Sequence, residues 1–221
     1  MREAIVQAYR KKETIRFKGT GNSNKNIAGL VYHVDDATNV ATWQGLSRNT
    51  YTNLRSTLTA QSGALGFDDL ATDYDASQRG ADSPTLYLTT PAVFSIIERL
   101  VTPTVNTNYG QMLPTGSSTG VAEGAGVRLN YGVNSIFYRG VPIIADEKCT
   151  SGNIFTLNER HLFLHELDYS NETVDATREG FAWSGWKKSQ NQNAIVGHLL
   201  FAGQLVGDSP RTMARRTGVT S

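Results

Sequence analysis

The chain has 221 residues, a formal net charge of +1 and 19% charged residues. Charge balanced in this way excludes a global basic field for nucleic acid and an acidic tail. The single cysteine, Cys149, excludes an intrachain disulfide framework. No apolar run approaches the ~20 residues of a membrane helix, and the charged N-terminus has no signal-peptide core, so we expect a cytosolic, soluble protein.

The first part of the chain predicts helices separated by polar loops. Met1–Arg16 has helical spacing with basic residues towards its end, as the last turns of a longer helix would. A second helix is predicted to start at a cap on Ser47 or Asn49 and to run to Leu58. A third helix is predicted from the apolar spacing of Phe67–Tyr74.

A strand followed directly by a helix is predicted next. Pro84–Thr89 has the composition of a strand, and Thr90 and Pro91 suit the cap and the first position of a helix that reaches Val101. A catalytic nucleophile elbow also occupies such a turn, but it requires Gly-x-Ser-x-Gly. We therefore interpret this element as structural.

The segment Asn106–Gly126 is long and rich in Gly, Ser, Thr and Asn. Loops of this length in compact domains are commonly functional or mobile. Two interpretations follow from composition, namely a binding loop or a segment that a neighbouring subunit orders.

The region after this loop has the longest run of strand signal in the chain. Short apolar runs at Ser135–Tyr138, Val141–Ala145 and Ile154–Leu157 are separated by turn residues, and period-2 alternation follows at His161–His165. These four strands with tight turns predict a compact β unit. A final strand region is predicted at Ala194–Val206.

Few residues carry a chemical signal. His161 and His165 with Glu166 lack the order of a helical zinc motif and lie on a predicted strand, so we expect no metal site. We interpret the tryptophans as buried anchors, namely Trp43, Trp183 and Trp186. The acidic pairs are interpreted as helix caps or solvated faces, namely Asp35-Asp36, Asp68-Asp69 and Asp73/Asp75. We predict no catalytic or cofactor site and no enzyme activity.

The central β region contains motifs in a recognisable order. An aromatic-x-Gly turn at Tyr138-Arg139-Gly140 leads to an apolar strand that ends at Asp146. A small polar turn, Ser151–Asn153, and the sequence Ile154–Asn158 (Ile-Phe-Thr-Leu-Asn) follow. In this order they resemble the major capsid proteins of tailed bacteriophages.

Three further passages agree in order with that family and extend the resemblance to residues 20–212. They are Asn26–Leu30 with Trp43–Arg48, Gly80–Leu100, and Asn191–Val206 with Pro210-Arg211. The sequence departs at Gln44 and Ser47, where the family has Gly and Asp. The family's N-terminal arm and extended hairpin loop have no counterpart, so we expect a truncated form, a fragment or an unusually short relative.

The resemblance implies an α+β protein with the tailed-phage capsid fold. Residues 1–58 and 181–221 would form a peripheral part, and residues 59–180 an axial part. Copies would pack as pentamers and hexamers into an icosahedral virion shell around non-specifically bound double-stranded DNA, after assembly in the host cytoplasm. Scaffold or portal proteins would be further partners, with no membrane and no cofactor.

Two candidate surfaces are predicted for that function. The first is a subunit contact near the capsomer centre, formed by Asn106, Tyr109, Ser117, Ser118 and Thr119. The second is a DNA-facing patch formed by Arg211, Arg215 and Arg216, because clustered arginines bind phosphates. The alternative interpretation of these arginines is a solvated tail.

Two other functions stay open at the level of sequence. The first is an encapsulin-like nanocompartment with the same fold, which would hold an enzyme instead of a genome. The second is a hydrolase that uses Ser117 or Ser118 with a histidine recruited from elsewhere in the chain.

Overall fold

The computed structural model describes residues 18, 27–104, 136–166, 175–176, 181–183, 185–188 and 195–220. Its helices are α1 (Leu30–His33), α2 (Phe67–Ser77) and α3 (Pro91–Thr104). The first strands are β1 (Thr42–Trp43), β2 (Leu46–Ser47), β3 (Thr57–Ala60), β4 (Leu86–Thr89), β5 (Ile136–Tyr138), β6 (Val141–Ala145), β7 (Ile154–Leu157) and β8 (Leu162–Glu166). The remaining strands are β9 (Asp175–Ala176), β10 (Phe181–Trp183), β11 (Lys187–Lys188), β12 (Ile195–Val196), β13 (Leu199–Phe201), β14 (Gly203–Gly207) and β15 (Ala214–Thr217).

A mixed six-stranded sheet organises the body of the molecule. Its strand order is β3-β15-β7-β4-β6-β5, in which β15 is parallel to β3 and antiparallel to β7. The parallel pair β4–β6 is connected through α3. Helices combined with a mixed sheet confirm the α+β prediction.

Alternating residues of the sheet supply two cores on its opposite faces. On one face Tyr87 and Ile154 pack with the buried sides of α2 and α3, including Leu70 and Ile97. On the other face the core is formed by Leu30, Val34, Cys149, Phe155, Leu157 and Met213. Successive side chains of a strand point to opposite faces, so the single strand β7 contributes to both cores.

The predicted strand–helix unit is confirmed. Strand β4 is followed by α3, and the Val93 N–H donates to the Thr90 hydroxyl at 3.4 Å, as a cap residue requires. The helix continues through Pro103 to Thr104, slightly beyond the predicted end. Helix α2 is also confirmed, and its first turn is tied by a 2.8 Å bond from the Gly66 N–H to the Asp69 carboxylate.

The predicted helix that ends at Leu58 is wrong. The chain instead forms a 3₁₀ turn at Thr52–Leu54 and then strand β3. The Ser56 N–H donates to the Asp35 carbonyl, and the Thr57 N–H donates to the Met213 carbonyl. These tertiary bonds outweigh the helical spacing of the local sequence.

The four strands predicted as one compact β unit form, but only the first two, β5 and β6, pair in chain order. Strand β4 lies between β6 and β7, and β8 leaves the sheet to pair with β14. The predicted domain boundary at residue 58 also falls inside β3. Because β15 lies between β3 and β7, we treat the whole sheet as one unit, and the axial and peripheral division stays a prediction.

The first core gives a direct test of the fold. Ile143 is fully buried on β6, so we expect Ile143→Ala to lower the free energy of unfolding by about 2–5 kcal/mol. Leu46→Ala is the control, because Leu46 is 47% exposed and should cost far less. Urea unfolding of the unassembled subunit measures both changes, and equal costs would contradict the described core.

Candidate functional site

The predicted subunit-contact loop lies outside the described residues. Asn106, Tyr109, Ser117, Ser118 and Thr119 all fall between residues 105 and 135. The helix predicted at Met1–Arg16 is likewise outside them. Both stay predictions.

Arg216, predicted to face DNA, is buried beneath helix α2. It is 3% exposed, and its guanidinium makes a bidentate pair with the Asp73 carboxylate at 2.8 and 2.9 Å. The same side chain donates to the Gln61 side chain at 2.6 Å and to the Asp69 carbonyl at 2.9 Å. Burial alone would raise the pKa of Asp69, but hydrogen bonds from Gly66 and Gln61 and the charge of Arg216 lower it.

Its neighbour Arg215 points to the opposite face of the sheet. It is 4% exposed, donates to the Val31 carbonyl at 3.3 Å and lies 3.8 Å from the Asp35 carboxylate. Burial lowers the pKa of Arg215, and the negative charge of Asp35 opposes that shift. The two arginines therefore tie β15 to both layers that cover the sheet.

A third buried arginine completes this charge network. Arg48 is fully buried and donates to the backbone carbonyls of Tyr32, His33, Val40 and Leu54 at 2.9–3.1 Å. It also lies 3.8 Å from Asp35. Arg48 thus holds the β1–β2 hairpin and the following turn against α1.

The DNA-facing prediction is consequently corrected for Arg215 and Arg216. Both guanidinium groups are engaged inside the subunit, so neither a DNA-facing patch nor a solvated tail describes them. Arg211 is exposed at the start of the same tail. A DNA-facing role stays a prediction for Arg211 alone.

His33 connects α1 to two other elements. The Trp43 indole N–H donates to His33 Nδ1 at 3.1 Å, and His33 Nε2 bonds the Leu205 carbonyl at 2.9 Å. Since Nδ1 accepts, Nε2 must carry the proton of a neutral ring. Burial lowers the pKa of His33 to about 4, with the Leu205 bond opposing the shift and Arg48 adding to it.

Strands β8–β14 form an antiparallel arrangement that we call the β arm, made of the two-stranded pairs β8–β14 and β11–β12 and the three-stranded sheet β13-β10-β9. Its base is the pairing of β8 with β14, from Leu162 opposite Gly207 to Glu166 opposite Gly203. Pairs β10–β13 and β11–β12 continue along the returning chain to Lys188 opposite Ile195.

Exposed apolar side chains concentrate on this arm. Of the nine large hydrophobic residues that are exposed in the described part of the chain, six lie on it, namely Phe163, Leu164, Trp186, Ile195, Val196 and Leu200. Trp186 is 60% exposed, which corrects its prediction as a buried anchor. Trp183 is partly buried and meets Trp186 edge to face at 5.2 Å. A Cβ at Gly197 would overlap the Trp183 ring, so a larger residue there would have to displace that ring.

A cluster of charged side chains around His161 lies at the base of the arm. His161 Nδ1 is 2.6 Å from the Asp208 carboxylate, and its Nε2 is 3.4 Å from the Asp82 carboxylate. Glu159 bonds the Thr85 hydroxyl next to them at 3.2 Å. Among the described residues no cluster of histidine, cysteine and carboxylate ligands is arranged to hold a metal ion.

Three solved structures share this architecture. The first is a cyanophage A-1(L) capsid asymmetric unit, with a TM-score of 0.69 and 17% identity over 99% of this chain and 69% of that chain. The chain has the tailed-phage major capsid protein fold. The holo-SrpI encapsulin complex of Synechococcus elongatus PCC 7942 matches with a TM-score of 0.59 and 18% identity. The capsid of a native GTA particle matches with a TM-score of 0.54 and 8% identity.

This chain is shorter than the proteins that it matches. The chain is covered to 99% in the last two cases and spans 64% of the length of each of those two proteins. No protein-family model and no curated protein sequence matches it. Within the described residues no helix combines the length and apolar character that crossing a bilayer requires.

The pairing of Arg216 with Asp73 predicts a large, specific stability effect. Arg216→Met should lower the free energy of unfolding by about 3–5 kcal/mol, because it leaves Asp73 buried without a counter-charge. The double variant Arg216→Met/Asp73→Leu should recover much of this loss. Arg211→Met is the matched control and should change stability by less than about 0.5 kcal/mol. Urea unfolding measures all three; equal losses for Arg211 and Arg216 would contradict the network.

The lowered pKa of His33 predicts an acid-sensitive subunit. The folded pKa of about 4 lies below the usual 6.5, so the unfolded chain binds this proton more readily. The stabilisation that neutral His33 gives the folded subunit is complete above about pH 6.5. It decreases as the pH falls towards 4, by about 3 kcal/mol in total.

The comparison with His33→Gln isolates this contribution. The difference in unfolding free energy between the natural chain and the variant should shrink as the pH falls from 6.5 to 4, because only the natural chain has His33 to titrate. The titration of the carboxylates affects both proteins equally and cancels in the difference. Urea unfolding across that pH range measures it. A difference that is independent of pH would contradict the neutral, doubly bonded imidazole.

Proposed function

We propose that this chain is a shell-forming structural protein, the major capsid subunit of a tailed-phage virion. Its copies pack as pentamers and hexamers of an icosahedral shell that encloses double-stranded DNA. The observation that carries the proposal is the fold match over 99% of the chain to the cyanophage capsid subunit, at a TM-score of 0.69. The GTA capsid match supports the same interpretation.

The physical character of the subunit fits a structural role. Its sheet is covered on both faces by apolar cores and is tied by buried arginines, which gives a rigid body. Its exposed apolar surface is concentrated on the β arm. Shell proteins require this combination, because repeated contacts between copies supply their function.

The finer parts of the proposal concern the contents and the partners of the shell. Arg211 is the member of the predicted arginine patch that can reach DNA, and its contact would be non-specific and sensitive to salt. Scaffold and portal proteins are proposed partners during assembly in the host cytoplasm. The proposal assigns no catalytic residue, and the serine-hydrolase alternative rests on Ser117 and Ser118, outside the described residues.

The second candidate is an encapsulin-like shell that holds protein cargo. It is favoured by the match to the holo-SrpI encapsulin complex, at a TM-score of 0.59. The two candidates share the subunit fold and differ in the contents of the shell. The contents therefore discriminate between them.

The proposal predicts closed particles. Light scattering and negative-stain microscopy of the purified chain should show capsomer rings or shells, since the fold is that of shell subunits. Nuclease-protected DNA inside the particles would support the capsid, whereas a packaged enzyme would support the encapsulin. A protein that stays monomeric at every concentration and salt condition would contradict both candidates.

A further inference from the structure

We propose that His161 is a proton-dependent latch between the base of the β arm and the body. When both ring nitrogens carry a proton, the imidazolium bridges Asp208 of the arm base to Asp82 of the body. Loss of the proton on Nε2 releases Asp82. The inference does not rest on the proposed shell function, because it concerns a contact within a single copy.

The first step is the position of the ring where the arm meets the body. His161 ends the 3₁₀ turn that leads into β8, and Asp208 directly follows β14. The Asp208 N–H donates to the His161 carbonyl at 3.3 Å, which joins the two chain segments at this point. Asp82 lies between α2 and β4, where Arg79 and Asp82 exchange two backbone hydrogen bonds of 2.9 Å.

The second step is the proton on Nδ1. His161 Nδ1 is 2.6 Å from the Asp208 carboxylate, a distance typical of a charge-assisted hydrogen bond. An ionised carboxylate can only accept, so Nδ1 is the donor. In a neutral ring Nε2 then carries a lone pair and no proton.

The third step is the surroundings of Nε2. This atom is buried from solvent and makes no hydrogen bond to any described residue, and the Asp82 carboxylate lies 3.4 Å from it. A lone pair beside a carboxylate is repelled, and a buried polar atom without a partner is costly. A proton on Nε2 removes both penalties, because it places a second donor next to Asp82.

The other charged groups around the ring do not share its titration range. Glu159 and Arg160 belong to the same turn, and Arg79 and Arg211 are the exposed cations of the segments that carry Asp82 and Asp208. Carboxylates and guanidinium groups do not ordinarily titrate between pH 5.5 and 8, whereas histidine does.

His33 is the other histidine at this junction. A Cβ at Gly207 would lie 3.3 Å from His33 Nδ1 and 3.5 Å from the His161 carbonyl, so the two residues flank the end of β14. Burial lowers the pKa of His33 to about 4, so His33 stays neutral between pH 5.5 and 8. A change of the junction within that range is therefore assigned to His161.

A double-mutant cycle at two pH values tests the latch. Asp82→Asn removes the charge that the imidazolium meets, so the folded-to-unfolded ratio of the unassembled subunit should fall about threefold more at pH 5.5 than at pH 8. In a His161→Gln background the loss caused by Asp82→Asn should be the same at both pH values. Urea unfolding measures all four proteins.

Asp75→Asn is the matched control. The Asp75 side chain is 62% exposed and lies 2.6 Å from Arg139, a partner that keeps its charge throughout this range. The loss caused by Asp75→Asn should therefore be equal at pH 5.5 and pH 8. An effect of Asp82→Asn that is equally independent of pH would overturn the latch.

The attachment of the arm base is tested by hydrogen exchange of the Asp208 amide, which bonds the His161 carbonyl. Its protection, corrected for the intrinsic effect of pH, should be about threefold higher at pH 5.5 than at pH 8. The difference should disappear in Asp82→Asn. Equal protection at both pH values in the natural chain would contradict a latch on the arm.

The ring itself gives a readout that a general loss of stability does not imitate. Nitrogen NMR of the natural chain should show protons on both His161 ring nitrogens at pH 5.5 and on Nδ1 alone at pH 8. A proton on Nε2 alone at pH 8, or a neutral ring at pH 5.5, would refute the bridge. Either result leaves the shell proposal standing, because assembly is measured separately.

Discussion

The structure depends on two adjacent arginines that point to opposite sides of one strand. Arg216 pairs with Asp73 of helix α2, and Arg215 reaches Val31 and Asp35 beside helix α1. Since β15 lies between β3 and β7, these bonds fix the end of the chain inside the sheet. Loss of the Arg216 guanidinium would leave the Asp73 carboxylate buried without its bidentate partner, so helix α2 and the central strand are energetically coupled.

That internal coupling contrasts with the β arm. The body packs two apolar cores and pairs its buried arginines within one copy, whereas the arm exposes Trp186, Ile195 and Val196. A rigid body with exposed apolar surface suits the assembly of identical subunits, because the shape is set before contacts form. The proposed shell function follows from this division and from the shared fold.

The sequence predicts the individual helices and strands well and the long-range contacts between them poorly. Strand β4 with α3, helix α2 and strands β5–β8 follow from apolar periodicity and turn residues, and the order of motifs predicts the fold. The role of Arg216 could not be predicted, since its partner Asp73 is 143 positions away. A polar segment such as Ala214–Thr217 has the composition of a solvated tail until that partner is known. The exposure of Trp186 was missed because apolar composition alone does not distinguish a core residue from a contact surface.

Hydrogen exchange of the backbone amides, measured on the unassembled subunit, tests the division between body and arm most directly. The account predicts that amides of β15 and β7 exchange slowly, and that amides of the two-stranded pair β11–β12 exchange quickly. Fast exchange of β15 in the single subunit would contradict the buried arginine network.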